Sequence, residues 1–139
     1  MALEIKLTLT ALGLFFLTAL LTGVWKYRHM LNNATHAAPP YVDIAHKAAL
    51  HYSFAILVVL QFEEVSGLGT SLNLLGASLM IGFFAIATAT YVMLGLKNET
   101  DNQFKVRNFN TTFGMWLLIA AEIGGFLLLF GGFLRSAFA

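Results

Sequence analysis

The stretch FGMWLLIAAEIGGFLLLFGGFL, residues 113–134, carries a single charge, Glu122, near its middle. At about 1.5 Å per residue, a helix of this length covers a hydrocarbon core about 30 Å thick. An ionised carboxylate at that depth is costly, so such a residue faces a bundle interior, pairs, or stays protonated. Three more apolar runs precede it: Leu7 to Val24, Ala48 to Phe62 and Leu72 to Leu96. The first is longer than a signal-peptide core of about 7–15 residues and no small-residue cleavage site follows closely, so it reads as an uncleaved helix. The second is short for a span, and Ala45, His46 and Lys47 extend it as an interfacial first turn. The fold expected is an all-α polytopic membrane protein, a single antiparallel bundle of four transmembrane helices. It fills residues 1–139, with helices over 5–28, 44–63, 71–97 and 111–135.

Composition points the same way. Hydrophobic residues make up 58% and charged residues 11%, against a usual charged share of about 25%. Mean hydropathy is +0.76. Absence of cysteine excludes disulfides, thiolate ligands and a cysteine nucleophile. A net charge of +1 without a basic cluster gives no footprint for nucleic acid.

The bases are distributed unequally. Loop 1–2 holds Lys26, Arg28 and Lys47, and loop 3–4 holds Lys97, Lys105 and Arg107; the opposite side has Lys6 and Arg135, with Glu63 and Glu64 in its tight connection. The positive-inside rule then puts both longer loops in the cytoplasm and both termini outside, in an inner or plasma membrane. Trp25, Tyr27, Tyr41 and Trp116 fall where an interfacial aromatic belt is expected.

Small residues at four-residue spacing mark helix contacts in lipid. Ala19 with Gly23, Ser78 with Gly82, Ala85 with Ala89 and Ala121 with Gly125 have that spacing. For Glu122 three accounts compete: a hydrogen-bonded acid lining a pocket, a proton relay, and a contact to Ser, Thr or His on another helix. No second acid is read at matching depth, so a paired-carboxylate scheme lacks its partner. The first account is the reading adopted.

The histidines, His29, His36, His46 and His51, lie in or near loop 1–2. His46 and His51 are five apart on a helix, which turns them to different sides and argues against a chelate. A lone His46 at a helix mouth has the chemistry of an axial haem ligand, but on residue type alone a headgroup-level side chain beside Lys47 is the favoured reading. Tyr91 is a hydrogen-bond donor for a ligand oxygen or a belt tyrosine. Asn98 is expected to end the third helix and Thr111 or Thr112 to cap the fourth, leaving Asp101, Asn102 and Gln103 without a structural role.

Three motifs resemble the small four-helix membrane isomerases, styrene oxide isomerase and the hydroxylaminobenzene mutases. They are Ala45-His46-Lys47-Ala48-Ala49-Leu50, then Leu74-Leu75-Gly76-Ala77 with Tyr91 further along, and Asn102-Gln103-Phe104. The resemblance implies haem b at a subunit interface of a homotrimer, with His46 as ligand to the haem iron and Tyr52 beside the cofactor. Tyr52 stands where the family has asparagine. It also implies Tyr91 as the group orienting a small apolar substrate, with Asn102 bounding the pocket at the cytoplasmic end. The family's polar third helix is replaced here by Met80, Phe83, Phe84 and Ala87. The expected function is a haem-dependent isomerase; the alternative is a non-catalytic subunit or scaffold of a larger membrane complex. A transporter ranks third, since no inverted repeat is visible.

Overall fold

The computed structural model describes residues 1–138 and contains four long helices: α1 Leu3–Asn32, α2 Pro40–Val65, α3 Thr70–Lys97 and α4 Met115–Phe138. A 3-10 turn over Gln103–Lys105 and a π-helical turn over Asn110–Gly114 separate α3 from α4. With its π turn, α4 matches the other three in being long and apolar enough to cross a membrane. The all-α four-helix bundle read from the sequence is the architecture found.

Helices adjacent in sequence pack together, and further contacts join α2 to α4 and α1 to α3. The middle of the bundle is therefore α2 and α3, with α1 and α4 on the flanks. The core joins Phe15, Ile56, Val59, Ala77, Met80, Phe84 and Leu129. Phe62 of α2 meets Phe126, Phe130 and Phe133 of α4 edge-on, an arrangement that the ring quadrupole favours.

Polarity is distributed as lipid demands. Glu4, Thr8, Ser53, Glu63, Asn73 and Thr88 are buried, whereas Leu14, Leu17, Leu21, Ile123 and Leu127 are exposed. Large apolar side chains lose nothing by facing hydrocarbon, and polar ones must find partners inside.

Several expected boundaries move. α1 runs on to Asn32, so Lys26, Arg28 and His29 belong to a helix rather than to loop 1–2. α2 begins at Pro40, earlier than the apolar run implies, because proline is preorganised for the first helical turn. That turn is tied down by Asp43, which pairs with Lys26 and Lys47 at 2.6 Å each. α2 also continues to Val65, so Glu63 belongs to a helix rather than to the connecting loop. At the end of α3, Asn98 adopts φ 50° and donates its N–H to the Leu94 carbonyl, the cap expected of it. The start of α4 differs: Asn108 and Thr111 exchange reciprocal hydrogen bonds of 2.9 and 3.0 Å, and Thr112 falls inside the π turn.

Of the small-residue pairs, Ala121 and Gly125 are buried, and Ala19 is buried with Gly23 half-buried beside it. Ser78, Gly82, Ala85 and Ala89 are exposed on α3, and a Cβ at Gly82 would meet nothing within 4 Å. A Cβ at Gly125 would meet the Gly76 carbonyl oxygen at 2.6 Å, so α3 and α4 touch backbone to backbone.

The α2–α3 turn is held by side chains. Ser66 Oγ donates to Asn73 Oδ1 at 2.6 Å, and Asn73 Nδ2 donates to the Glu63 carbonyl at 3.1 Å. Asn73→Leu removes both and leaves their buried partners unsatisfied. It is expected to cost about 1–3 kcal/mol, measured as a lower denaturation midpoint in mild detergent, while Asn32→Leu, at an exposed position, leaves the midpoint in place.

Candidate functional site

The best-formed recess lies between α3 and α4 at the end of the bundle that carries the longer loops. It is a cavity of about 300 Å³. Phe83, Ala87, Thr90 and Tyr91 line it from α3, Met115 and Leu118 from α4, and Gln103, Phe109 and Asn110 from the connection. The walls are apolar, and the amides, the Thr90 hydroxyl and the Tyr91 phenol are its polar members. Small-molecule sites have this composition: mostly apolar surface with few orienting groups.

The π turn makes the recess possible. The Gly114 N–H donates to the Phe109 carbonyl at 2.9 Å, closing a wider turn than an α-helix allows. Asn110 and Gly114, at the two ends of that turn, both line the cavity. Such insertions recur at functional sites because they re-aim side chains.

Tyr91 is positioned by Tyr41, on which it stacks with centroids 6.2 Å apart. The Tyr41 hydroxyl accepts the Gln103 N–H at 2.6 Å, which pins the connection to the start of α2. Tyr41 is thus a buried strut, 4% exposed, and not the belt residue the sequence suggested. Among the aromatic belt candidates, Tyr27 at 61% and Trp116 at 72% do face outward.

The remaining predicted residues are distributed around this site. Asn102 is exposed and its Oδ1 accepts the Phe104 N–H at 2.9 Å, so it caps the 3-10 turn. Its neighbour Gln103 lines the cavity in its place. The exposed Asp101 pairs with Lys105, which holds the Asp101 carboxyl below its ordinary range. Glu122 is half-buried, within electrostatic reach of Tyr52 and Tyr91, one turn beyond Leu118. Its Oε1 has no hydrogen-bond partner, and neither does the buried Thr88 hydroxyl. The hydrogen bond expected for this acid is therefore not made within the chain.

His46 lies on another side of α2. Its Nδ1 is 2.9 Å from the Ala19 carbonyl, and its ring covers Gly23, where a Cβ would come within 3.0 Å. Tyr52 stacks on Phe84 at 4.3 Å and meets Phe15 edge-on. His46 faces α1, Tyr52 packs between Phe15 of α1 and Phe84 of α3, and Tyr91 lines the α3–α4 cavity while stacking on Tyr41, so one chain does not bring His46 and Tyr91 into a common cavity. His51 is exposed on the outer face of α2. Among the described residues, no three His, Asp or Glu side chains converge as metal ligands.

No protein-family model, curated protein or solved structure matches this chain.

Proposed function

We propose that the protein takes a small, largely apolar molecule with one polar atom from the bilayer into the α3–α4 cavity, and isomerises it there. The cavity carries the binding half of this reading: apolar walls hold the body of a ligand, and Tyr91, Gln103 and Asn110 offer donors to its polar end. The isomerase half rests on the resemblance of the His46, Leu74–Ala77 and Asn102–Phe104 motifs. In this scheme the Tyr91 hydroxyl donates to the substrate oxygen, with Glu122 within electrostatic reach of that tyrosine. By its basic loops, this end faces the cytoplasm and the termini lie outside, in an inner or plasma membrane.

The test is turnover of styrene oxide and of an arylhydroxylamine by detergent-purified protein, followed by chromatography. Tyr91→Phe is expected to lower turnover about 100-fold, the usual worth of one positioned donor. Wild-type protein that neither converts nor saturably binds either compound overturns the reading.

Haem b is the cofactor the resemblance implies, where it would supply a Lewis-acidic iron. His46 would suit a ligand to that iron in one respect: with Nδ1 donating to the Ala19 carbonyl, Nε2 is the atom left for a metal. Its separation from Tyr91 does not suit the scheme unless the haem lies between subunits. A Soret band lost in His46→Ala supports haem; colourless wild-type protein overturns it.

A second reading, an oligomer or a subunit of a larger membrane complex, draws on the outer face of α2. Lys47, His51, Phe54, Val58, Gln61 and Val65 form one exposed stripe, and His51 and Gln61 are costly neighbours for hydrocarbon. A covering protein, whether a second copy or another subunit, removes that cost. Gln61→Cys is expected to give a specific disulfide crosslink in native membranes, and monomer alone under oxidation counts against it.

A further inference from the structure

At the opposite end of the bundle, three helices bring together a second polar cluster that the α3–α4 cavity does not involve. Glu4 of α1 is 6% exposed and Glu63 of α2 is 4% exposed. Glu4 and Thr8 lie beside Glu63, and Thr70, the first residue of α3, donates its hydroxyl to Glu4 Oε1 at 3.2 Å. The Thr8 hydroxyl is the donor that faces the Glu63 carboxyl, and no hydrogen bond of normal geometry reaches either buried Glu63 oxygen or Glu4 Oε2.

That is an unusual arrangement. A buried carboxylate oxygen without a donor loses its hydration and gains nothing in return. Here three such oxygens share one place, and the two side chains that carry them repel each other when ionised. No basic side chain compensates: among the described residues the ion pairs are Lys26–Asp43, Lys47–Asp43 and Lys105–Asp101, all at the other end. Lys6 and Arg135 lie at this end and are exposed. The turn that borders the cluster is held rigidly by Ser66 and Asn73, so the carboxylates have a fixed frame rather than a collapsing one.

We infer that Glu4 and Glu63, with the Thr70 hydroxyl, form a site for a hard divalent cation of the calcium class. The ligand set is all oxygen, which suits calcium and magnesium and offers nothing to soft metals. Two carboxylates match a charge of two, Glu63 can offer both oxygens to one ion, and the Thr8 hydroxyl beside it is a further oxygen. Calcium tolerates irregular shells of about 6–8 oxygens, so water completes the set more readily than the strict octahedron of magnesium allows. The site lies at the end of the bundle, next to the Gly67–Gly69 turn, where an ion arrives from the aqueous phase without crossing hydrocarbon. A bound ion would clamp α1, α2 and the start of α3 together.

The experiment is thermal denaturation of detergent-purified, chelator-treated protein, titrated with calcium, magnesium or sodium at fixed pH and ionic strength. Calcium about a hundredfold above its dissociation constant is expected to raise the midpoint by about 5 °C or more. Glu63→Gln and Glu4→Gln keep side-chain volume and are expected to lose the shift. Isothermal titration of the wild type, which does not depend on any variant folding, is expected to show one calcium per chain. Three results overturn the proposal: a midpoint insensitive to calcium, an equal shift in Glu63→Gln, or a midpoint that follows pH alone. The last would mean that protons, not a metal, fill the site.

Discussion

Gly125→Leu should pull α3 and α4 apart and leave no folded bundle. The space for even one carbon is missing: a Cβ at position 125 comes within 2.6 Å of the Gly76 carbonyl oxygen and 2.9 Å of Met80 Cγ. A side-chain methyl can rotate away from such a contact, but a backbone carbonyl moves only if its helix moves. The reverse contact is equally tight, since a Cβ at Gly76 meets the Gly125 carbonyl at 3.1 Å and Leu129 Cγ at 2.9 Å. In lipid this close approach is itself the attraction between the helices, so separating them removes what holds them. Overpacking of this kind costs about 1–3 kcal/mol for small insertions, and a leucine placed against backbone exceeds that. Gly125→Ala is expected to fall within that range. Gly124, next in sequence, meets nothing within 4 Å. Gly124→Leu should therefore change the unfolding midpoint by less than about 0.5 kcal/mol equivalent, measured by titration with a denaturing detergent.

Leu118→Trp is the second large effect, this time on binding. Leu118 is half-buried and lines the α3–α4 cavity of about 300 Å³. An indole there occupies the volume that the proposed ligand would take, and its area of about 150–250 Å² packs against Phe83 and Met115 instead. Saturable binding of styrene oxide should weaken at least 100-fold, about 2.7 kcal/mol, with the bundle still folded because the added bulk enters an existing space. Ile119→Trp, on the exposed side of the same turn, serves as the control and should bind as the wild type does. Equal weakening by both variants would show that the cavity is not where the ligand goes.

The sequence exposed the bundle but misjudged its acids. Glu122 stood out because an unbroken apolar run surrounds it, yet it is only half-buried in the fold. Glu63 and Glu4 are the acids most deeply enclosed, yet the sequence places Glu63 in a connecting loop and assigns Glu4 no role, because each lies near the polar end of an apolar run. Burial there comes from α1, α2 and α3 meeting at one end of the bundle, a relation between residues some sixty positions apart. Gln103 shows the same limit. Beside Asn102 the two amides look alike, and only the 3-10 turn decides which one caps the backbone and which faces the cavity.

By itself the chain determined that there are four long apolar helices, because a bilayer imposes a minimum length and a lack of charge that can be counted along the sequence. It also determined the small-residue contacts at Gly23 and Gly125, since close approach requires a missing side chain. Tertiary structure alone decided which side of each helix turns inward. That separated His46 from Tyr91, left Gly82 and Gly124 bare, and enclosed Glu4 with Glu63. The physical reason is that lipid is as apolar as a leucine side chain. Inside and outside then differ little in hydrophobicity along such a helix, and only the packing of neighbours tells them apart.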